Sequence, residues 1–162
     1  MNVYYFDANA LYKFYRGQIK GEKGSLNIRR LASTSHPIQI SPLTQLEYVS
    51  ILMKDFRKGY LKKGDLQKLI KRLRRDVSIV GRGTARPFYA VSVPDGTYKQ
   101  AESILLVHGT KFSIGSNDAL HLAFVKKYSA STPITIVTSD QSMIYICKEI
   151  DVIHYDPENA SP

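Results

Sequence analysis

Near its N-terminus the chain reads Val3-Tyr4-Tyr5-Phe6-Asp7-Ala8-Asn9-Ala10-Leu11. A run of strand-forming residues ends at Asp7, and residues that favour a helix begin directly after it. This junction predicts that the Asp7 carboxylate lies at the carboxyl edge of a sheet, where open α/β folds bind ligands. Aspartate is also a preferred helix N-cap, so capping alone explains the junction equally well. A chemical role for Asp7 therefore depends on whether other carboxylates join it.

The composition is that of a soluble globular protein. The chain has 162 residues, enough for one domain with a proper core, and 43% of them are apolar, with a mean hydropathy of -0.23. No apolar run approaches the roughly 18 residues that a membrane-spanning helix needs. Asp7 interrupts the apolar stretch at the N-terminus, so no signal peptide is expected there. We expect a cytoplasmic protein without a membrane partner.

Cysteine content and charge narrow the chemistry. Cys147 is the single cysteine, which excludes an internal disulfide and a cysteine-built zinc site, and its apolar neighbours predict a buried thiol. The chain carries 23 basic and 14 acidic residues, for a net charge of +9 and a pI near 9.6. This excess favours polyanionic partners, nucleic acid above all.

Strand-like and helix-like segments alternate along the chain. Strands are expected at Ile38–Ile40 and Ile134–Val137, and at 77–80, 88–93 and 152–155, with a turn at 81–84. Helices are expected at 8–15, 27–33, 42–58 and 143–149, as a pair within 54–75, from Asp95 or Thr97 to Gly109, and after a cap at Ser116 or Asn117. This alternation predicts an α/β fold with a mainly parallel sheet.

The helix that begins at Ser41-Pro42 contains a second notable carboxylate. Its predicted inward-facing positions are Leu43, Leu46, Ser50 and Met53. Glu47 lies among them, and no lysine or arginine stands three or four positions away to pair with it. An unpaired charge on the core side of a helix is costly, so Glu47 is a candidate functional residue.

Several of the other acids have a helical neighbour of opposite charge. Those with a lysine or arginine three or four positions away, as solvated surface acids commonly have, are Asp55, Asp65, Asp76, Asp95, Glu102 and Asp151. Those without one, at the end of an apolar strand or on an apolar helix, are Asp7, Glu47, Asp118 and Asp140. Glu149 also has none, so the separation is incomplete.

Converging carboxylates repel one another unless a cation neutralises them. Oxygen ligands without thiols or a histidine pair favour Mg²⁺ or Mn²⁺ over zinc. Such a site on a strongly basic protein indicates phosphodiester chemistry on nucleic acid.

The acidic residues and their motifs resemble those of the PIN-domain ribonucleases, and most closely the VapC-type toxins of toxin-antitoxin pairs. The motif-bearing segments are the strand ending at Asp7, the helix with Glu47, Asn117-Asp118-Ala119-Leu120-His121-Leu122-Ala123, and Thr138-Ser139-Asp140. The resemblance implies a three-layer α/β/α sandwich with a mainly parallel central sheet. It implies one nuclease domain over residues 1–157, with a polar tail at 158–162.

The same resemblance implies a catalytic site. By position, the acidic quartet is Asp7, Glu47, Asp118 and Asp140, and the accessory polar residues are Asn9 and Thr138. Asp7 and Asp118 would ligate Mg²⁺ or Mn²⁺ directly, and the other two acids directly or through water. A metal-activated water would then hydrolyse an RNA phosphodiester bond. The implied partners are RNA, a cognate antitoxin protein and a second copy of this chain.

Other functions remain open at this stage. A haloacid dehalogenase phosphatase also begins with a strand and an aspartate, but it needs a second aspartate where this chain has Asn9. A catalytically silent PIN-like RNA-binding module is another alternative, against which the intact quartet argues. A PIN nuclease acting in RNA processing or on DNA, outside a toxin-antitoxin system, is a third.

Two further features have alternative explanations. Residues 54–75 contain many basic side chains, and Lys71, Arg72 and Arg75 are candidate nucleic-acid contacts, although a solvated face explains the pattern as well. His121 follows Asp118 by one helical turn. A core or hydrogen-bonded structural role is favoured for it over a role in the site.

Overall fold

Six parallel strands form one sheet in the computed structural model, which describes residues 3–79 and 87–159. The strands are β1 (Val3–Phe6), β2 (Ile38–Ile40), β3 (Val77–Ile79), β4 (Phe88–Ala90), β5 (Ile134–Val137) and β6 (His154–Tyr155). Their order across the sheet is β3-β4-β2-β1-β5-β6. The predicted parallel sheet is confirmed.

Helices connect the strands. They are α1 (Ala8–Tyr12), α2 (Gln18–Lys20), α3 (Ser25–Ala32), α4 (Pro42–Arg57), α5 (Lys63–Asp76), α6 (Thr97–His108), α7 (Ser116–Ser129) and α8 (Gln141–Glu149). A π-helical segment, Lys13–Gly17, joins α1 to α2. No helix among the described residues has the length and apolar character needed to cross a membrane.

Two hydrophobic cores lie on opposite faces of the sheet. Successive side chains of β1 alternate between them, with Tyr5 in one core and Phe6 in the other. Helices α6, α7 and α8 contribute to the first core, and α1, α3, α4 and α5 to the second. The predicted three-layer α/β/α sandwich is therefore confirmed.

The strand order places the start of the chain at the centre of the sheet. Strand β1 pairs with β2 on one side and with β5 on the other. The strands that follow β1 directly lie on the β2 side, and the last two strands lie on the β5 side, so the strand order reverses next to β1. Ligand crevices in parallel α/β sheets form beyond the carboxyl ends of the strands at such a point. Asp7 follows β1 directly, at this position.

The predicted buried face of α4 is wrong. Leu46 is 68% exposed, whereas the buried positions are Thr44, Tyr48 and Leu52. Thr44 turns inward because its hydroxyl donates a hydrogen bond to the Phe6 carbonyl oxygen, and Tyr48 then supplies a large apolar ring one turn further on. Glu47, whose side chain is 22% exposed, consequently lies at the edge of the buried face of α4 rather than at its centre.

Two acids predicted to be solvated are instead held inside the fold. Asp55 accepts hydrogen bonds from the Tyr12 hydroxyl and from Arg16. Asp76 is 7% exposed and accepts a hydrogen bond from the Tyr15 hydroxyl. Their helical neighbours could not reveal these partners, which come from the segment that follows β1.

Several element boundaries differ from those predicted. The first α-helix ends at Tyr12 rather than Tyr15, because the chain continues as the π-helical segment. The cap of α7 is Gly115 rather than Ser116 or Asn117. Strand β6 is confined to His154–Tyr155. The predicted turn at 81–84 lies outside the described residues, and the predicted buried state of Cys147 is confirmed.

Candidate active site

The four predicted acids line one cleft beyond the carboxyl ends of β1 and β5. Its volume is about 200 Å³. The lining residues are Asp7, Ala8, Asn9, Glu47, Ile51, Asp118, His121, Asp140 and Met143. Residues far apart in the sequence are thus brought together because parallel strands end at the same edge of the sheet.

A backbone N–H group holds one oxygen of each aspartate. Asp7 Oδ1 accepts from Ala10 N at 2.7 Å, and Asp140 Oδ1 accepts from Met143 N at 2.9 Å, so both residues cap the helices that follow them. Asp118 Oδ2 accepts from Gly115 N at 2.8 Å. Asp7 therefore does cap α1, as the sequence allowed. The cap uses one carboxylate oxygen and holds the side chain in the cleft, so it is compatible with a chemical role.

The three aspartates have no basic partner in the described part of the chain. Within residues 3–79 and 87–159, no lysine or arginine lies within 4.0 Å of any of them. Burial raises the pKa of Asp7, which is 5% exposed, above its ordinary value. Burial also raises the pKa of Asp118, and the nearby Asp140 carboxylate adds to the increase. The sequence shows no basic partner for these acids on their own helices, and the described residues of the fold provide none from elsewhere.

Glu47 differs from the aspartates because side chains bind both of its oxygens. Oε1 accepts a hydrogen bond from Asn117 Nδ2 at 2.7 Å, and Oε2 lies 2.6 Å from His121 Nε2. Partial burial acts to raise the pKa of Glu47, but His121 and Asn117 outweigh it and lower the pKa below its ordinary value. Helix α7 thus fixes the α4 carboxylate.

His121 has both a structural partner and a place in the cleft. Its side chain is buried, and its Nδ1 atom lies 2.6 Å from the Tyr5 hydroxyl oxygen. The predicted hydrogen-bonded role is confirmed. His121 also lines the cleft, so it is part of the site as well as of the core.

The turn after β5 contains the accessory residue Thr138. This residue is fully buried, and its hydroxyl oxygen accepts a hydrogen bond from Asp140 N at 3.1 Å. Asn9, the other accessory residue, is exposed in the cleft lining. Next to Thr138, Ser139 Oγ accepts a hydrogen bond from Lys13 Nζ at 3.0 Å. Lys13 is 2% exposed, and no sequence pattern singled it out.

The predicted nucleic-acid contacts lie on α5 and do not line the cleft. Arg75 Nε lies 2.9 Å and Arg72 Nε 3.4 Å from the carboxylate of Asp76. The Arg72 guanidinium also lies 5.1 Å from the centre of the Tyr15 ring. Lys71 is exposed. Two of these three cations therefore have structural contacts.

The cleft has the donor chemistry of a hard-cation site. Among the described residues, no three His, Cys, Asp or Glu side chains are grouped closely enough to hold one metal ion together. Mg²⁺ does not require such a group, since it takes one or two carboxylates and keeps several waters. Asp7, Asp118 and Asp140 lie at the N-termini of helices without basic partners in the described part of the chain, so they provide ligands of this kind.

Comparison with solved structures gives several similar folds at low sequence identity. A chain of the FitAB complex bound to an IR36 DNA fragment is 20% identical, with a TM-score of 0.63 and 98% of each chain covered. A chain of VapBC2 from Rickettsia felis, bound to a promoter DNA fragment, is 17% identical, with a TM-score of 0.55 over 94% of this chain and 97% of that one. A chain of VapBC-1 from nontypeable Haemophilus influenzae is 12% identical, with a TM-score of 0.59 over 96% and 98%.

A search of curated protein sequences finds no match. The family model of the PIN domain, in contrast, matches residues 4–149, which include all four acids of the cleft. PIN domains are generally nucleases, and they generally use divalent metal ions. The parallel sheet, the acidic cleft at its carboxyl edge and the family match agree with one another. The chain belongs to the PIN domain family.

Proposed function

We propose that this protein is a ribonuclease that depends on Mg²⁺ or Mn²⁺ and hydrolyses RNA phosphodiester bonds. The observation that carries the proposal is the convergence of Asp7, Asp118 and Asp140 on one cleft without a basic partner in the described part of the chain. Buried or half-buried carboxylates of this kind need a cation to offset their mutual repulsion. A divalent cation also provides the positive charge that a phosphodiester substrate requires.

The residues of the cleft would have different roles in this reaction. Asp7 and Asp118 would hold the cation directly, and Glu47 and Asp140 directly or through water. A divalent cation in such a site lowers the pKa of water and stabilises negative charge on phosphate oxygens. Backbone N–H groups hold the aspartates in place, Thr138 fixes the turn before Asp140, and exposed Asn9 can reach the substrate. No side-chain nucleophile is required.

Within that activity, we propose that the protein is the cytoplasmic toxin of a toxin-antitoxin pair, acting as a homodimer. The solved structures of similar fold include toxin-antitoxin complexes, which supports a cognate antitoxin as partner. An apolar groove lined by Leu43, Leu46 and Tyr98 supports association with a second copy, because Leu46 and Tyr98 are 68% and 73% exposed. Light scattering of the purified protein measures its oligomeric state.

The strongly basic charge supports RNA as the substrate. A net charge of +9 attracts a polyanion, and α5 contributes Lys71, Arg72 and Arg75 to the basic surface. Arg72 and Arg75 already form ion pairs with Asp76, so a phosphate would have to share these arginines with Asp76 or replace it. All three side chains are exposed, and Lys71 differs from the two arginines in having no contact with Asp76.

Incubation of the purified protein with assorted RNAs and with DNA, with and without Mg²⁺ or Mn²⁺, tests the proposal. We expect metal-dependent RNA cleavage that the Asp118→Asn variant loses. Asp95→Asn is the matched control, because Asp95 is an exposed aspartate outside the cleft. Cleavage that needs neither metal nor Asp118 would contradict the proposal. Binding without cleavage would indicate the silent module, and cleavage of DNA alone a DNA nuclease.

A further inference from the structure

A chain of hydrogen bonds runs from the centre of the sheet to the cleft. The hydroxyl of Tyr5, on β1, lies 2.8 Å from Ser41 Oγ and 2.6 Å from His121 Nδ1. On the other side of the imidazole, Nε2 lies 2.6 Å from Oε2 of Glu47. Tyr5 and His121 are 0% and 2% exposed, so water does not compete for these bonds. The chain joins β1, α4 and α7 around one carboxylate.

The donors of this chain can be assigned from the chemistry of its members. An ionised Glu47 carboxylate only accepts, so the hydrogen on this side is carried by His121 Nε2. The Tyr5 hydroxyl donates to the nearest of its three partners, which is His121 Nδ1 at 2.6 Å rather than Ser41 Oγ at 2.8 Å or Thr44 Oγ1 at 3.1 Å. Ser41 Oγ donates to the Tyr5 oxygen at 2.8 Å, which is nearer than its other hydroxyl neighbour, Thr44 Oγ1 at 3.2 Å, and Thr44 donates its own hydrogen to the Phe6 carbonyl oxygen. Each of the three hydrogen bonds that link Ser41, Tyr5, His121 and Glu47 thus has one donor and one acceptor, and all three point toward Glu47.

We propose that His121 is a positioning residue of this nuclease: held as its Nε2–H tautomer by Tyr5, it fixes the Glu47 carboxylate at the cleft. The inference rests on the proposed function and deepens it. Glu47 extends from the side of α4 on a flexible side chain, and among the described residues no backbone N–H group holds it as the aspartates are held. His121 and Asn117, both on α7, replace that backbone support.

This arrangement keeps Glu47 in a defined place before any cation or substrate arrives. Asp118 and His121 lie on the same helix, so a fixed Glu47 also has a fixed relation to Asp118. Residues that orient the acids of a metal site in this way typically change metal affinity or activity by about 10- to 100-fold when they are replaced. His121 would contact neither the cation nor the substrate.

Two substitutions of His121 separate positioning from packing. His121→Leu fills the buried position with an apolar side chain and removes the donor, whereas His121→Gln keeps an N–H group that can reach Glu47. Tyr5→Phe removes only the hydroxyl that fixes the ring. His108→Leu is the matched control, because His108 is also buried and its Nδ1 lies 2.9 Å from Glu149 Oε2, outside the cleft. The His108 and Glu149 atoms are close enough for an ion pair, but their geometry is not that of a hydrogen bond.

The variants are compared by RNA cleavage and by the rise in melting temperature on titration with Mg²⁺ or Mn²⁺ alone. We expect His121→Leu to lower kcat and to raise the metal concentration at half-maximal stabilisation, each by about 10- to 100-fold, with KM for RNA nearly unchanged. His121→Gln should recover most of both losses, and Tyr5→Phe should fall between. His108→Leu should change neither quantity.

Nitrogen NMR of the metal-free protein provides a readout independent of activity. We expect His121 to carry its ring hydrogen on Nε2, and Tyr5→Phe to weaken that preference. An Nδ1–H tautomer, or His121→Leu behaving as His108→Leu does while wild type cleaves RNA, would overturn the inference. A wild-type protein that neither cleaves RNA nor responds to metal would overturn the proposed function instead, and the tautomer would still report on the Glu47 contact.

Discussion

The ammonium nitrogen of Lys13 lies 3.0 Å from the hydroxyl oxygen of Ser139, 126 residues further along the chain. Glu158 forms an ion pair with the same ammonium group. Ser139 is the middle residue of the turn that carries Thr138 and Asp140 into the site. Lys13 therefore connects the π-helical segment, the active-site turn and the C-terminal segment.

Glu158→Gln should destabilise the protein by about 2 kcal/mol, because the buried Lys13 ammonium loses its charged partner. Lys13→Met removes the buried charge and keeps a side chain of similar length. Adding it to Glu158→Gln should therefore cost less than the sum of the single changes, as measured by urea unfolding. Effects that add to within about 0.5 kcal/mol would show that the pair is not coupled.

The C-terminal segment is also held by close packing at Gly24. This glycine has a φ of 78°, and a Cβ atom there would lie 2.8 Å from the backbone of Pro157. Asn27 Nδ2 donates a hydrogen bond to the Pro157 carbonyl oxygen. The residues around Glu158 are thus attached to the domain by contacts beyond the ion pair.

Mg²⁺ or Mn²⁺ should raise the melting temperature of the wild-type protein, because binding relieves carboxylate repulsion only in the folded state. At a metal concentration 100-fold above Kd, the gain is about 2.7 kcal/mol. Asp7→Asn should reduce this gain while keeping the cap on α1, since asparagine is an equally good N-cap. Asp95→Asn, by contrast, should keep the full gain. Loss of cleavage in Asp7→Asn with unchanged stabilisation by metal would make the ligand assignment wrong.

Lys71→Glu should weaken RNA binding and flatten its salt dependence, because each lost phosphate contact lowers the slope by about 0.7 on single-stranded RNA. Arg72→Glu and Arg75→Glu place a second carboxylate beside Asp76, so we expect them to reduce folding stability as well. Binding measured over a range of salt concentrations, together with unfolding midpoints, separates these effects. An unchanged slope in Lys71→Glu would assign this surface to another role.

The thiol of Cys147 should resist alkylation in the folded protein at pH 8 and react readily in urea. Burial raises its pKa from 9.0 to about 12, so it stays protonated and inaccessible. A raised pKa means that the thiol favours folding below its ordinary pKa and that this contribution is lost as pH rises toward 12. Stability should therefore fall less above pH 9 in Cys147→Ala than in wild type. Rapid alkylation of the native protein would contradict the buried state.

Tyr48→Phe should be neutral or slightly stabilising. The Tyr48 hydroxyl is buried and has no hydrogen-bond partner among the described residues. Tyr15 is the matched comparison, since its ring lies 5.4 Å from that of Tyr48 but its hydroxyl donates to Asp76. Tyr15→Phe should cost about 1 to 2 kcal/mol. Equal effects of the two substitutions in thermal unfolding would indicate a partner for Tyr48, such as a buried water.

The sequence predicted the acids of the cleft because each lies at a local signal. Asp7 and Asp140 end β-branched or aromatic strands, and Asp118 begins a helix. Glu47 was found by its lack of a helical partner, although the predicted buried face of α4 was wrong. Periodicity alone could not distinguish Leu46 from Tyr48 as the inward residue, since the choice depends on the hydrogen bond from Thr44 to β1.

Partners distant in sequence required the tertiary structure. Asp55 and Asp76 satisfied the rule for surface acids, yet Tyr12, Arg16 and Tyr15 reach them from the segment after β1. Lys13 likewise gave no signal as a buried cation, because its partners follow it by more than 100 residues.

The sequence by itself determined the α/β class, the parallel sheet and the identity of the acidic residues, because these follow from local patterns of strands, helices and charge. Only the tertiary structure decided how the acids are held. Strand order brings β1 and β5 together, and backbone N–H groups fix the three aspartates. The Tyr5–His121 chain fixes Glu47. Such bonds join residues of different helices and strands that are far apart in the sequence. The pattern within a single helix or strand therefore cannot predict them.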